Sequence, residues 1–110
     1  MATYEIRHFR AADGTDVFGD WFDALRDRQA QQRIAVRIDR LALGLFGDAK
    51  ALREGVRELR VHYGPGYRIY YALAGRTVVL LLSGGDKRTQ RERLGIERWS
   101  RFFGQEIGPR

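Results

Sequence analysis

Arg60, His62, Arg68, Tyr70 and Lys87 lie in one stretch, residues 55–90, and are the side chains of this chain best suited to chemistry on a phosphate. A guanidinium is planar, always charged and able to grip a phosphate with two N–H groups at once. An imidazole titrates near neutrality and can pass a proton either way. A tyrosine ring can stack on a base, a contact worth roughly 1–3 kcal/mol. RNA is the substrate that needs least from a protein, because its 2′-hydroxyl is an internal nucleophile. What remains is to hold one linkage in line and stabilise the charge that develops on phosphorus. Cations placed at such a charge contribute a few kcal/mol each. Arg68, His62 and Lys87 are therefore candidate catalytic residues, with Arg60 and Tyr70 as candidate substrate contacts.

Each of these residues also has a purely structural reading, which the sequence leaves open. Arg60 and Arg68 can pair with Glu58, His62 can be a hydrogen-bonded sheet histidine, Lys87 can complement Asp86, and Tyr70 can pack beneath a final helix. Further back, Arg33, Arg37 and Arg40 fall at i, i+4 and i+7, so they share one helix face. That row either grips phosphate or is a solvated charged face.

Positioning these groups requires a sheet. Residues 3–9 alternate, with Tyr4, Ile6 and His8 facing one way and Glu5, Arg7 and Phe9 the other, which predicts a first strand. Thr15 or Asp16 can cap a helix whose stripe is Val17, Phe18, Trp21, Phe22 and Leu25. A second helix is predicted from about Gln29 to Leu45, burying Ala30, Ile34, Ile38, Leu41 and Leu45 and ended by Gly44 and Gly47. Residues 47–55 read as a loop, with Ala51-Leu52 as the place where it can touch the sheet. Three strands follow. With Gly64-Pro65-Gly66 as a three-residue hairpin loop, His62 faces Arg68 and Arg60 faces Tyr70. With Ala74-Gly75 as the next turn, Arg68 faces Leu81 and Tyr71 faces Val78. One face then carries Leu59, Val61, Ile69, Tyr71, Val78, Leu80 and Leu82, to be covered by the helices. The other carries Glu58, Arg60, His62, Arg68, Tyr70, Val79, Leu81 and Ser83. Gly84-Gly85 ends the last strand, and Asp86 can cap a final helix bearing Leu94, Ile96, Trp99 and Phe103, with a loose tail beyond.

A chain of 110 residues is expected to form one domain, residues 1–110. Twenty Lys+Arg against fourteen Asp+Glu give a net charge of +6, which favours nucleic acid, an anionic surface or an acidic partner. The absence of cysteine excludes disulfides, thiolate nucleophiles and Cys-ligated zinc. With two histidines and no accompanying carboxylate cluster, neither a metal nor a cofactor is expected. The N-terminus carries no signal-peptide run, and Val78 to Leu82 is too short an apolar run to cross a membrane, so a cytoplasmic protein is expected. Gly84-Gly85-Asp86-Lys87 lacks the spacing of a phosphate-binding loop, which excludes nucleoside triphosphate binding.

The predicted order of strand, helix, helix, three strands and helix, with Glu58-Leu59-Arg60, Gly66-Tyr67-Arg68-Ile69-Tyr70-Tyr71 and Gly84-Gly85-Asp86-Lys87, resembles the RelE/ParE toxin superfamily, and within it the HigB-like addiction-module killer proteins. The resemblance implies an α+β fold, a small mostly antiparallel sheet (β-α-α-β-β-β-α) with a helical pair packed on one face. It implies a toxin of a type II toxin–antitoxin system, and many members of the superfamily are metal-independent endoribonucleases that cut translated mRNA at the ribosome. Other members poison DNA gyrase, and a nonenzymatic RNA- or ribosome-binding module is a third reading. The implied partners are a helix-turn-helix antitoxin, mRNA and the ribosome, and operator DNA reached only through the antitoxin. By motif, Arg68 matches the arginine that contacts the scissile phosphate in cleaving members, Arg60 the Glu-Leu-Arg arginine, and Lys87 the basic residue past the last strand. Many cleaving members carry a tyrosine or histidine near the C-terminus as proton donor. Here no tyrosine follows Tyr71 and no histidine follows His62.

Overall fold

In the computed structural model, residues 3–52 and 55–86 are described. Lys87, the expected final helix and the tail lie outside the described residues. The elements are β1 (Glu5–His8), α1 (Val17–Asp23), α2 (Arg28–Ala42), β2 (Ala49–Ala51), β3 (Val56–Val61), β4 (Tyr67–Ala74) and β5 (Val78–Asp86). The five strands form one mixed sheet in the order β1-β5-β4-β3-β2. Only β1 and β5 run parallel; the other neighbours are antiparallel. This is the expected α+β architecture with both helices on one face, enlarged by one short strand.

Both helices start where an aspartate can accept orphan backbone N–H groups. The Asp16 carboxylate accepts from the Gly19 N–H at 2.9 Å, and Asp27 accepts from Gln29 and Ala30. α2 stops three residues short of Leu45. Gly44 adopts φ +77, and the N–H groups of Gly44 and Leu45 bond back to the carbonyls of Leu41 and Arg40. This is a Schellman end, which needs the left-handed residue that glycine supplies. Leu45 therefore falls outside the helix and is 57% exposed instead of buried. Residues 49–51, expected in a loop, pair with β3 as an edge strand. Ala-Lys-Ala has little strand propensity of its own, so the pairing is imposed by its neighbours.

The main core lies between helices and sheet. Phe18, Trp21, Ala30, Ile34 and Leu41 meet Leu59, Val61, Tyr67, Ile69, Tyr71, Val79 and Leu81. Each large apolar side chain removed from water here contributes roughly 1.5–3 kcal/mol. A second apolar cluster, Phe9, Val56, Tyr70, Ala72, Leu80 and Leu82, lies on the opposite face and contains no residue of α1 or α2.

Two register expectations are corrected. The β3–β4 connection is five residues long, 62–66, with Val61 opposite Tyr67, so Arg60 faces Arg68 rather than Tyr70. Gly64 and Gly66 both take positive φ there, and the tighter loop expected from Gly64-Pro65-Gly66 does not form. That slide of two keeps every side chain on its expected face. The β4–β5 connection is Gly75-Arg76-Thr77, with Ala74 opposite Val78, a slide of three that turns β5 over. Val79 and Leu81 thus face the helices, and Val78, Leu80 and Leu82 the other side. A bulge at Leu82, between the pairs Tyr71–Leu81 and Tyr70–Ser83, then brings Gly84 onto the helix face opposite Ile69. β5 does not stop at the glycines but runs through them to Asp86.

Candidate functional site

The β3–β4 register sets two arginines side by side, Arg60 directly opposite Arg68. Like charges in that arrangement repel. Glu58, two residues before Arg60 and so on the same face, offsets the repulsion. Its carboxylate accepts from the Arg60 Nε–H at 2.9 Å and stands 4.0 Å from the Arg68 Nε. The Glu58 side chain is only 8% exposed, whereas the arginines keep 42% and 34%. A buried carboxylate thus bonds the inner nitrogen of Arg60 and stands at ion-pair distance from that of Arg68. The terminal nitrogens of each arginine are the pair suited to an incoming phosphate. The bond to Glu58 also raises the pKa of Arg60 further above its ordinary value. Gly85, opposite Arg68 on β5, presents no side chain beside it.

His62 does not sit across from Arg68 but in the loop just past β3, 72% exposed. Its Nε2 lies 2.6 Å from Oδ2 of Asp48. Asp48 immediately precedes β2, and its backbone carbonyl accepts from the Arg60 N–H at 3.0 Å. The hydrogen bond to His62 holds the Asp48 carboxyl below the ordinary carboxylate range, and the charges of His62, Arg60 and Arg37 act in the same direction. An ionised carboxylate only accepts, so the His62 Nε2 is the donor and Nδ1 is the nitrogen not bonded to Asp48. One recess of about 240 Å³ is walled by Arg60, His62, Arg68, Val61, Gly66 and Tyr67. Three of the residues singled out in the sequence therefore share one wall.

The α2 row is less uniform than its spacing suggests. The Arg33 guanidinium lies 4.6 Å over the Tyr63 ring. The Arg37 Nη1 donates to the Arg60 carbonyl at 2.9 Å, while its Nη2 is buried without a hydrogen-bond partner among the described residues. A Cβ on Gly47, where φ is +62, would come within 2.7 Å of that Nη2. Arg37 is thus a buckle between α2, the turn before Asp48 and β3. Arg40 is exposed. These side chains, with Val36, line a groove of about 510 Å³ whose far side is His62 and Tyr63. Tyr70 is 4% exposed, within the second apolar cluster, so its ring is occupied in packing and is not presented to a base.

Among the described residues, no three His, Asp or Glu side chains converge as a metal site would require, and no helix is long and apolar enough to cross a membrane. The sequence reading missed Asp48, which lies in a loop where neither strand nor helix periodicity points at a partner.

Comparison with known proteins adds two findings. The family described as phage derived protein Gp49-like (DUF891) matches residues 20–98. An uncharacterized protein of Haemophilus influenzae is 38% identical over 94 residues, covering 86% of this chain and 92% of the relative. The family match spans β2 to β5 entire, and with them Asp48, Glu58, Arg60, His62 and Arg68.

Proposed function

This chain belongs to the Gp49-like family, a family of RelE-like toxins that implies an antitoxin partner, and from that premise we propose that it cleaves mRNA through the RNA's own 2′-hydroxyl. The observation that carries the reading is the Arg60–Arg68 pair, tethered by a buried Glu58 and sharing one recess with His62. In the proposed reaction the scissile phosphate is gripped by the outer nitrogens of both arginines. The 2′-oxygen attacks phosphorus, the bond to the 5′-oxygen breaks, and the products are a 2′,3′-cyclic phosphate and a free 5′-hydroxyl. Charge builds on the non-bridging oxygens, where the guanidiniums already stand. His62 exchanges the proton the reaction needs, in place of the C-terminal tyrosine or histidine that this chain lacks. Lys87, one residue past β5, is proposed as a further cation at the phosphate. Within the wider superfamily we place the chain beside the HigB-like toxins, with translated mRNA at the ribosome as substrate and a helix-turn-helix antitoxin as partner.

The test is expression without an antitoxin, with mapping of mRNA 5′ ends, for the parent and for Arg68→Ala. The parent should arrest growth and cut transcripts within translated regions. Arg68→Ala should stay folded, because the side chain lies outside both apolar clusters, and should cut about 10²–10³-fold more slowly. Intact transcripts together with accumulating gyrase–DNA cleavage complexes would overturn the reading in favour of gyrase poisoning.

A further inference from the structure

We propose that Asp48 is the positioning residue that makes His62 the proton donor of this site. The proposal rests on the RNA-cleavage reading above and assigns the group that serves as general acid. Asp48 is held from two sides: its carbonyl by the Arg60 N–H at 3.0 Å, its carboxylate by the His62 Nε2 at 2.6 Å. The first contact fixes where the carboxylate stands relative to β3. The second fixes the imidazole with Nε2–H toward Asp48, which leaves Nδ1 as the nitrogen available for a proton transfer in the recess that His62 walls with Arg60 and Arg68.

The charge around the imidazole explains why a carboxylate is needed. His62 shares its recess with Arg60 from β3 and with Arg68 and Tyr67 from β4, and its groove with Arg33, Arg37 and Arg40 from α2 and with Tyr63. Five guanidiniums disfavour a sixth cation. Asp48 is the anion in direct contact, and it favours the imidazolium that a general acid must be before the reaction starts. The step then balances. The 2′-hydroxyl proton goes to solvent as the P–O2′ bond forms. The P–O5′ bond breaks, and the 5′-oxygen takes the proton from Nδ1. Solvent restores the proton to His62, which is exposed enough for that exchange.

Two measurements on the intact protein decide the matter. The first is the tautomer of the His62 ring by 15N NMR, which needs no activity. The parent should carry its ring proton on Nε2, toward Asp48. Asp48→Asn removes the acceptor-only partner, so the proton should no longer be fixed on Nε2. Asp48→Glu should restore most of the preference. An unchanged tautomer in Asp48→Asn overturns the proposal whether or not the parent cuts RNA. The second is the pH–rate profile of cleavage. Asp48→Asn should lose about tenfold at neutral pH and recover toward parent activity in mild acid, where the ring is charged without help. An equal loss at every pH, with no recovery in Asp48→Glu, would assign Asp48 a merely structural role and overturn the proposal. A parent that cuts no RNA removes the cleavage reading, and the tautomer alone then decides whether Asp48 controls His62.

Discussion

At the scale of single residues, the site is built from side chains that restrain one another. Glu58 occupies the inner nitrogen of Arg60, the Arg60 carbonyl receives Arg37, and the Arg60 N–H seats Asp48. Arg60 therefore organises the site through its backbone as well as its charge. Arg68 is freer, with Glu58 at 4.0 Å, which fits it for contact with substrate. Arg68→Lys should recover little of what Arg68→Ala loses, since an ammonium lacks the two-pronged geometry; cleavage rates of the two variants side by side check this. The neighbouring Tyr71 shows the opposite situation. Its ring is fully buried, and its hydroxyl meets no hydrogen-bond partner within bonding distance and angle among the described residues, although Arg57 stands directly opposite on β3. Burial pushes its pKa up, partly countered by the Arg57 charge and by the approach of the Arg57 side chain, which falls short of a well-formed hydrogen bond. An unsatisfied buried hydroxyl costs about 1–3 kcal/mol. Tyr71→Phe should leave the unfolding midpoint unchanged or raise it, whereas a drop of more than about 1 kcal/mol would mean that the hydroxyl is bonded in solution.

At the scale of elements, the lesson lies in β5. The sequence placed β1, both helices and β3 to β5, and the faces of β1, β3 and β4 came out as their alternation dictates. The faces of β5 did not. Val78-Val-Leu-Leu-Leu82 is apolar at every position because the strand is buried on both sides, so it carries no period-of-two signal to fix its register. The loop length then decides, and Gly75-Arg76-Thr77 is one residue longer than the turn that Ala74-Gly75 suggests. Sites inherit such errors. Arg60, His62 and Arg68 were legible as a set, but their pairing depended on a loop whose glycines permit more than one length. Gly84 illustrates what the bulge achieves. A Cβ there would lie 2.2 Å from Cε3 of Trp21, so the α1 indole sits directly on the strand. Those atoms belong to a rigid ring anchored in the core against Phe18 and Tyr67. Gly84→Ala should cost roughly 1–3 kcal/mol or more in a denaturant melt. An unchanged midpoint would show that α1 does not rest on β5.

At the scale of the whole molecule, the surplus of six positive charges is a long-range attraction for RNA that the site then refines. Each phosphate neutralised releases counterions, so affinity for a single-stranded RNA should fall linearly in log–log form as salt rises, by about 0.7 per contact. The structure divides the α2 row for this purpose. Arg37 is committed to the Arg60 carbonyl and the Gly47 turn, and its removal would disturb the site itself. Arg33 and Arg40 are exposed and border the groove that leads to His62. If RNA runs along that groove, replacing Arg33 and Arg40 together by glutamine should make the slope shallower by about 1.4, two contacts' worth. The rate of cleavage at saturating RNA should not fall, because neither guanidinium walls the recess beside Arg68 and the loss of two positive charges near His62 favours its imidazolium. An unchanged slope with weakened binding of the antitoxin would instead give the groove to the protein partner. An unchanged slope with intact antitoxin binding would leave the row as a solvated face, and the phosphate grip would then belong to the sheet arginines alone.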